Sequence, residues 1–257
     1  MNQQFNTKRF RLVLKSYWAE NGRSYLMSIG FTIGIMLLLM LPIAGTPQVI
    51  GLLYGLHIFA LIGGTILGGC LFTSGAFSAY ATSEKGIAAI MIPASQLEKF
   101  LVVFLINLIS VVLIYTIGLQ FHSGIVALAN QKIVMGDHYQ TAPPELIRFV
   151  GFTYFILQGA VFLGSLYFGR NSLLKTLGAV LIITVFAFVF NLFLAYQFTG
   201  FSANVFAFPF TFWSVFDGQR YNLSYPPLID RLIKVFLGLL VMALVFITYV
   251  RLKEKEI

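Results

Sequence analysis

Ser95 and Glu98 stand three residues apart in the stretch IMIPASQLEKFL, Ile90 to Leu101. That spacing has a definite chemistry. In a Ser-x-x-Glu capping box the serine side chain accepts from the glutamate N–H, and the glutamate side chain reaches back to the serine N–H. A helix therefore starts near Gln96, with Glu98 at the positive end of its dipole. Pro93 pushes Ile92 out of the α region and ends whatever precedes it. What precedes it is SEKGIAAIMI, with Glu84 and Lys85 first and an apolar centre from Ile87 through Ile90 to Ile92. The pattern predicts one or two turns of helix before the reversal at Pro93. A plain reversal needs only a few residues. An exposed apolar patch wants cover, which a partner protein or the membrane interface would supply.

Other reactive groupings are sparse. The histidines are His57, His122 and His138, with no H-E-x-x-H to hold zinc. Ser74 precedes Gly75, but no G-x-S-G surrounds it. No G-x-x-x-x-G-K-[ST] phosphate loop occurs. The sequence therefore predicts no enzyme, no metal and no directly bound cofactor. Four polar residues fall within long apolar runs: His57, Asn107, Gln158 and Asn191. Each either lines a translocation path or bonds a neighbouring helix. The single cysteine, Cys70, forms no disulfide within the chain.

These residues need elements to carry them. Of 257 residues, 58% are hydrophobic and only 10% charged, against about 25% charged in soluble domains. Asp, Glu, Lys and Arg are missing from Ser24 to Ser83, Phe100 to Gln131, Phe149 to Gly169, Thr176 to Phe216 and Val235 to Val250. One helical crossing takes about 20 residues. The first run holds two, broken at LPIAGTPQ, where two prolines and a glycine suit a turn. The reading is an all-α polytopic membrane protein: one domain over 1–257 with six spans, roughly 25–44, 49–73, 100–121, 148–168, 174–196 and 232–250. The carboxylates lie outside those spans. That argues against proton- or sodium-coupled transport, which places charge at mid-membrane.

With the N-terminus in the cytoplasm, twelve Lys and Arg fall inside and five outside (Lys132, Arg148, Arg220, Arg231 and Lys234). The positive-inside rule favours that arrangement, with both termini cytoplasmic. The net charge of +8 then needs no nucleic acid, since orientation and anionic lipid headgroups account for it. Residues 81–99 become a cytoplasmic loop. In the arm 5–23, Phe10, Val13, Leu14, Tyr17 and Trp18 share one helix face, opposite basic residues. This predicts an interfacial amphipathic elbow helix. The outer segment 197–230 is crowded with aromatics. It is long for a connector, and re-entrant helices capping the outer exit are expected there. Glu145 and Arg148 are spaced to pair, as are Asp217 and Arg220. The pairs Gly30/Gly34, Gly51/Gly55 and Gly64/Gly68 are G-x-x-x-G spacings that allow close helix approach. They leave open whether the approach is internal or between copies.

The stretch IPASQLEKF, Ile92 to Phe100, resembles the L-P-A-S-x-x-E-K-F signature of a group of bacterial ABC-2-type permease subunits, with Ile92 where leucine is usual. The N-x-K-R-F arm at Asn6 to Phe10 is similar as well. The resemblance implies a transmembrane half-transporter of the bacterial inner membrane, most simply an exporter. Its partners would be a second permease half and a separate ATP-binding cassette subunit, which would hold and hydrolyse the ATP. Glu98 and Lys99 match the motif directly, as do Pro93 and Ser95. Glu84, Lys85, Ile87 and Ile90 are assigned to the ATPase contact by position in the loop. An assembly or immunity subunit, or an intramembrane enzyme, stays open as an alternative.

Overall fold

The computed structural model describes residues 5–77, 80, 91–134, 136–168, 171–199, 204–207, 212–217, 219–224 and 226–255. Within them are six helices long and apolar enough to cross a membrane: α1 Thr7–Met40, α2 Gly51–Ser74, α3 Gln96–Lys132, α4 Pro144–Tyr167, α5 Ser172–Thr199 and α6 Pro227–Lys255. The charge-free runs thus locate all six, and the helices run past the runs at their ends. At 37 residues, α3 is about 55 Å long and extends well beyond a hydrocarbon core of about 30 Å.

The separate elbow helix expected over 5–23 is corrected. The arm and the first span form one unbroken helix, capped by Asn6, whose side chain accepts from the N–H groups of Lys8 and Arg9. No proline interrupts it before Pro42, in the 3-10 turn Leu41–Gly45. Gly22 lies within it, with the Trp18 ring over the glycine, 3.0 Å from where a Cβ would stand. The face also points differently. Phe10, Val13, Leu14 and Tyr17 pack against Tyr25, Phe72, Val102 and Ile106 of the protein itself. Trp18 is left on the outside, 47% exposed. From Arg9 to Met36, α1 rises about 40 Å, whereas the α3 stretch it matches, Glu98 to Gly118, rises about 30 Å. The long Arg9 and Met36 side chains take up that difference.

Helix α2 packs on α1, α3 and α4, and α4 packs in turn on α5 and α6. Of the three glycine pairs, only Gly64/Gly68 is internal. A Cβ on Gly64 would meet Met36, and one on Gly68 would meet Thr32, both on α1. Gly30, Gly34, Gly51 and Gly55 have open space instead. None of the most apolar stretch of α5 is buried, leaving it to lipid.

The all-α reading needs one amendment. The expected re-entrant helices in 197–230 are replaced by a three-stranded antiparallel sheet: β1 Asn204–Ala207, β2 Phe212–Asp217 and β3 Gln219–Ser224. The register pairs Val205 with Val215 and Phe216 with Arg220. Aromatic and β-branched residues suit a pleated surface, and the sequence has an Asp-Gly pair at 217–218, a dipeptide typical of hairpins. Val205 and Ala207, two apart, bury together against Ala195 at the end of α5. The Glu145–Arg148 pair forms at 3.2 Å on the surface, worth about 0–1 kcal/mol. The side chains of Asp217 and Arg220 lie outside those described.

Two glycine substitutions separate internal from open glycines. Gly68→Val drives a side chain into Thr32 and should destabilise the chain by about 1–3 kcal/mol. Gly34→Val meets open space and should stay within about 0.5 kcal/mol. Thermal unfolding in one detergent reads both.

Candidate functional site

The capping box forms as its spacing requires. The Glu98 N–H donates to Ser95 Oγ at 3.2 Å, and the Ser95 N–H donates to Glu98 Oε2 at 2.9 Å. The other carboxylate oxygen turns to the start of α1. Glu98 Oε1 accepts from the Asn6 N–H at 2.6 Å and from Arg9 Nη2 at 3.1 Å. The Glu98 side chain has no exposed surface. A buried carboxylate is costly unless charge and donors meet it. Here two backbone N–H groups and a guanidinium do so, and charge-assisted bonds of this kind are the stronger sort. Asn6 acts twice: its side chain caps α1 and its backbone N–H holds Glu98.

Lys99 is buried beside Glu98, 5% exposed. Pro93 is exposed. Next to it Met91, Ile92 and Leu97 are exposed as well, Met91 by 76%. The clamp is therefore flanked by uncovered apolar side chains at one end of the bundle. Glu84, Lys85, Ile87 and Ile90 lie outside the described residues.

The four polar residues expected either to line a path or to bond a neighbouring helix stand at different places in the bundle. His57 and His122 are buried and joined at the opposite end of the bundle. The Ala142 N–H donates to His122 Nε2 at 2.9 Å, His122 Nδ1 lies 2.8 Å from His57 Nε2, and His57 Nδ1 lies 3.1 Å from the Met40 carbonyl oxygen. Beside them Tyr139 Oη donates to the Gln48 carbonyl, accepts from the Ile50 N–H and bonds Thr46. Asn130 brackets the Tyr139 backbone.

Gln158 on α4 lies 2.5 Å from Thr73 Oγ1 on α2, a helix-to-helix bond. Tyr154 Oη donates to the Val111 carbonyl, and the Phe162 ring packs against the stacked rings of Phe100 and Phe104. That register sets Asn107 at the level of Gln158. Among the described residues, Asn107 Oδ1 and Asn191 Nδ2 are buried without a hydrogen-bond partner. A narrow apolar crevice between α2, α3 and α4, with room for no more than about one water, is lined by Leu61, Thr65, Tyr115, Leu146 and Val150 among others. An open depression at the histidine end is lined by Val49, Tyr54, Asp137, His138, Tyr139 and Gln140. Neither holds any of the four.

Two of these meetings lie outside what the sequence predicts, that of Asn6 and Arg9 with Glu98 and that of His57 with His122. The available signal for the first was a helix-capping asparagine ahead of an apolar stripe. The second pairs residues 65 apart, and residue spacing gives no cue at that range. Compared with known proteins, the chain matches no family model, no curated protein and no solved structure.

Removing the carboxylate tests the clamp. Glu98→Ala should cost about 2–3 kcal/mol, since bonds to a charged group are lost and donors are left behind. It should also free the arm, so that limited trypsin digestion cuts after Lys8, Arg9 or Arg11 several-fold faster than in the wild type. Equal cutting rates would show that the arm is held by its apolar face alone.

Proposed function

We propose that this chain is the membrane-spanning permease half of an ABC-2-type ATP-binding cassette transporter, working as an exporter in a bacterial inner membrane. The observation that carries the reading is the meeting of two motifs. N-x-K-R-F at Asn6 to Phe10 and P-A-S-x-x-E-K-F at Pro93 to Phe100 lie far apart in the chain, yet both are joined through Glu98. The two stretches that carry the resemblance form one small piece of structure.

The mechanism follows from that joint. A separate ATPase subunit docks on loop 81–99, with Glu84, Lys85, Ile87 and Ile90 in the contact and the exposed Met91, Ile92 and Pro93 beside them. Closure of the ATPase on ATP pushes the loop. Pro93 stiffens the approach to α3, and the Ser95–Glu98 box fixes where α3 begins. Because Glu98 also holds Asn6 and Arg9, the push reaches α1 and α3 together. Helix α1 is unbroken to Met40, so displacement at one end reaches the other.

Six crossings return both termini to the cytoplasm, as the placement of Lys and Arg favours. A second permease half completes the path, against the lipid-facing surface left by α1, α5 and α6. The absence of a phosphate-binding loop and of mid-span carboxylates suits a machine whose energy arrives from outside the membrane.

The chain should co-purify from its native membrane with an ATP-binding cassette protein. Replacing Ile87, Ile90 and Ile92 by serine should abolish that association, while the thermal unfolding of the spans in detergent moves little. A stable preparation that transports without any bound or added ATPase would sink the reading.

A further inference from the structure

The hydrogen-bonded chain through His57 and His122 has only one consistent proton arrangement. The Ala142 N–H must donate, so His122 Nε2 carries no proton and accepts. The proton of a neutral His122 is then on Nδ1, from which it donates to His57 Nε2. That leaves the proton of His57 on Nδ1, facing the Met40 carbonyl, which can only accept. Both rings are neutral, and every ring nitrogen is used. A proton added at His122 Nε2 would face the Ala142 N–H, and one added at His57 Nε2 would face another donor. Neither ring accepts a proton without losing a bond.

The chain binds four elements: the end of α1 at Met40, α2 at His57, α3 at His122 and the segment entering α4 at Ala142. It stands in an apolar cluster that includes Met40, Ile43, Ala60, Leu61, Ile125 and Ala142. The titratable groups in or against that cluster are the phenols Tyr139 and Tyr54. Among the described residues, the imidazoles bond each other, the Met40 carbonyl and the Ala142 N–H, and neither bonds a carboxylate, lysine or arginine. Asp137 and His138 stay on the exposed rim.

We propose that the His57–His122 chain is a proton-sensitive lock that holds α1, α2, α3 and the start of α4 together at one end of the bundle and releases them on acidification. The sign follows from the proton arrangement. Freed imidazoles titrate near their ordinary value of about 6.5, whereas the locked pair has no place for a proton. The lock is fully present above that value. As pH falls below it, the released form gains about tenfold per histidine per unit. The inference does not depend on the transport reading.

The test places spin labels at Val49→Cys, ahead of α2, and Leu128→Cys, on α3, in a Cys70→Ser background. Both label sites are exposed. Pulsed electron–electron distances are read in nanodiscs at pH 7.5 and 5.5. One short distance is expected at pH 7.5. A longer one should grow at pH 5.5, with the long-to-short ratio rising roughly a hundredfold for two histidines. In His57→Leu/His122→Leu the distances should not respond to pH. The chain has three histidines, so His138→Gln, on the exposed rim, should respond as the wild type does. An unchanged wild-type distance overturns the lock, as does a response lost in His138→Gln or kept in the double variant. Should the double variant fail to fold, the wild type and His138→Gln decide.

Discussion

A carboxylate with no exposed surface has to be neutralised where it lies, and Glu98 imposes that demand on everything around it. Its two oxygens require donors from two directions. One oxygen closes the capping box and so fixes the first residue of α3. The other needs Asn6 and Arg9, so the arm must come to the start of α3 rather than float at the membrane surface. Once the arm is drawn in, its apolar face has a protein surface to cover, and Phe10, Val13, Leu14 and Tyr17 bury against α2 and α3. The same stripe on a free helix would have sought lipid. Hydrogen-bond satisfaction and apolar burial therefore select one placement of α1 together.

The helices were legible because a bilayer leaves few choices. A long run without charge must satisfy its backbone internally, so Ser24 to Ser83 had to be two helices with a turn at the prolines. The capping box was legible because it is local, with both bonds spanning three residues. Continuity of α1 was not. An aromatic stripe opposite basic residues reads as a helix lying in the interface, and only packing shows that the stripe meets the protein itself. The outer sheet was missed for a related reason. Aromatic content pointed to the membrane interface, while the alternation of buried Val205 and Ala207, together with Asp217-Gly218, specified strands.

The polar residues within spans show the same division. Residue type and depth say that His57 or Gln158 needs a partner, since a lone polar group in an apolar setting is costly. They do not say which partner. His57 is completed by His122 and the Met40 carbonyl, Gln158 by Thr73. Both solutions are contacts between helices far apart in sequence, decided by packing. Asn107 and Asn191 keep an atom with no hydrogen-bond partner among the described residues, and these mark where this arrangement of helices is least complete.

Helix α1 is therefore fastened twice, by charge at its first turn and by a neutral hydrogen-bonded chain at its last. The two fastenings differ in kind. The Glu98 clamp gains from ionisation and is edged by an arginine that is one-third exposed. The histidine chain requires both groups to be uncharged and lies in an apolar cluster. Between them the helix is unbroken, and Met36 and Thr32 ride directly on the bare backbone of Gly64 and Gly68. That close seat couples α1 to α2 along its length. Its position is then set by whichever end holds. In the proposed transporter, force enters at the charged end, and the neutral end determines whether α1 yields.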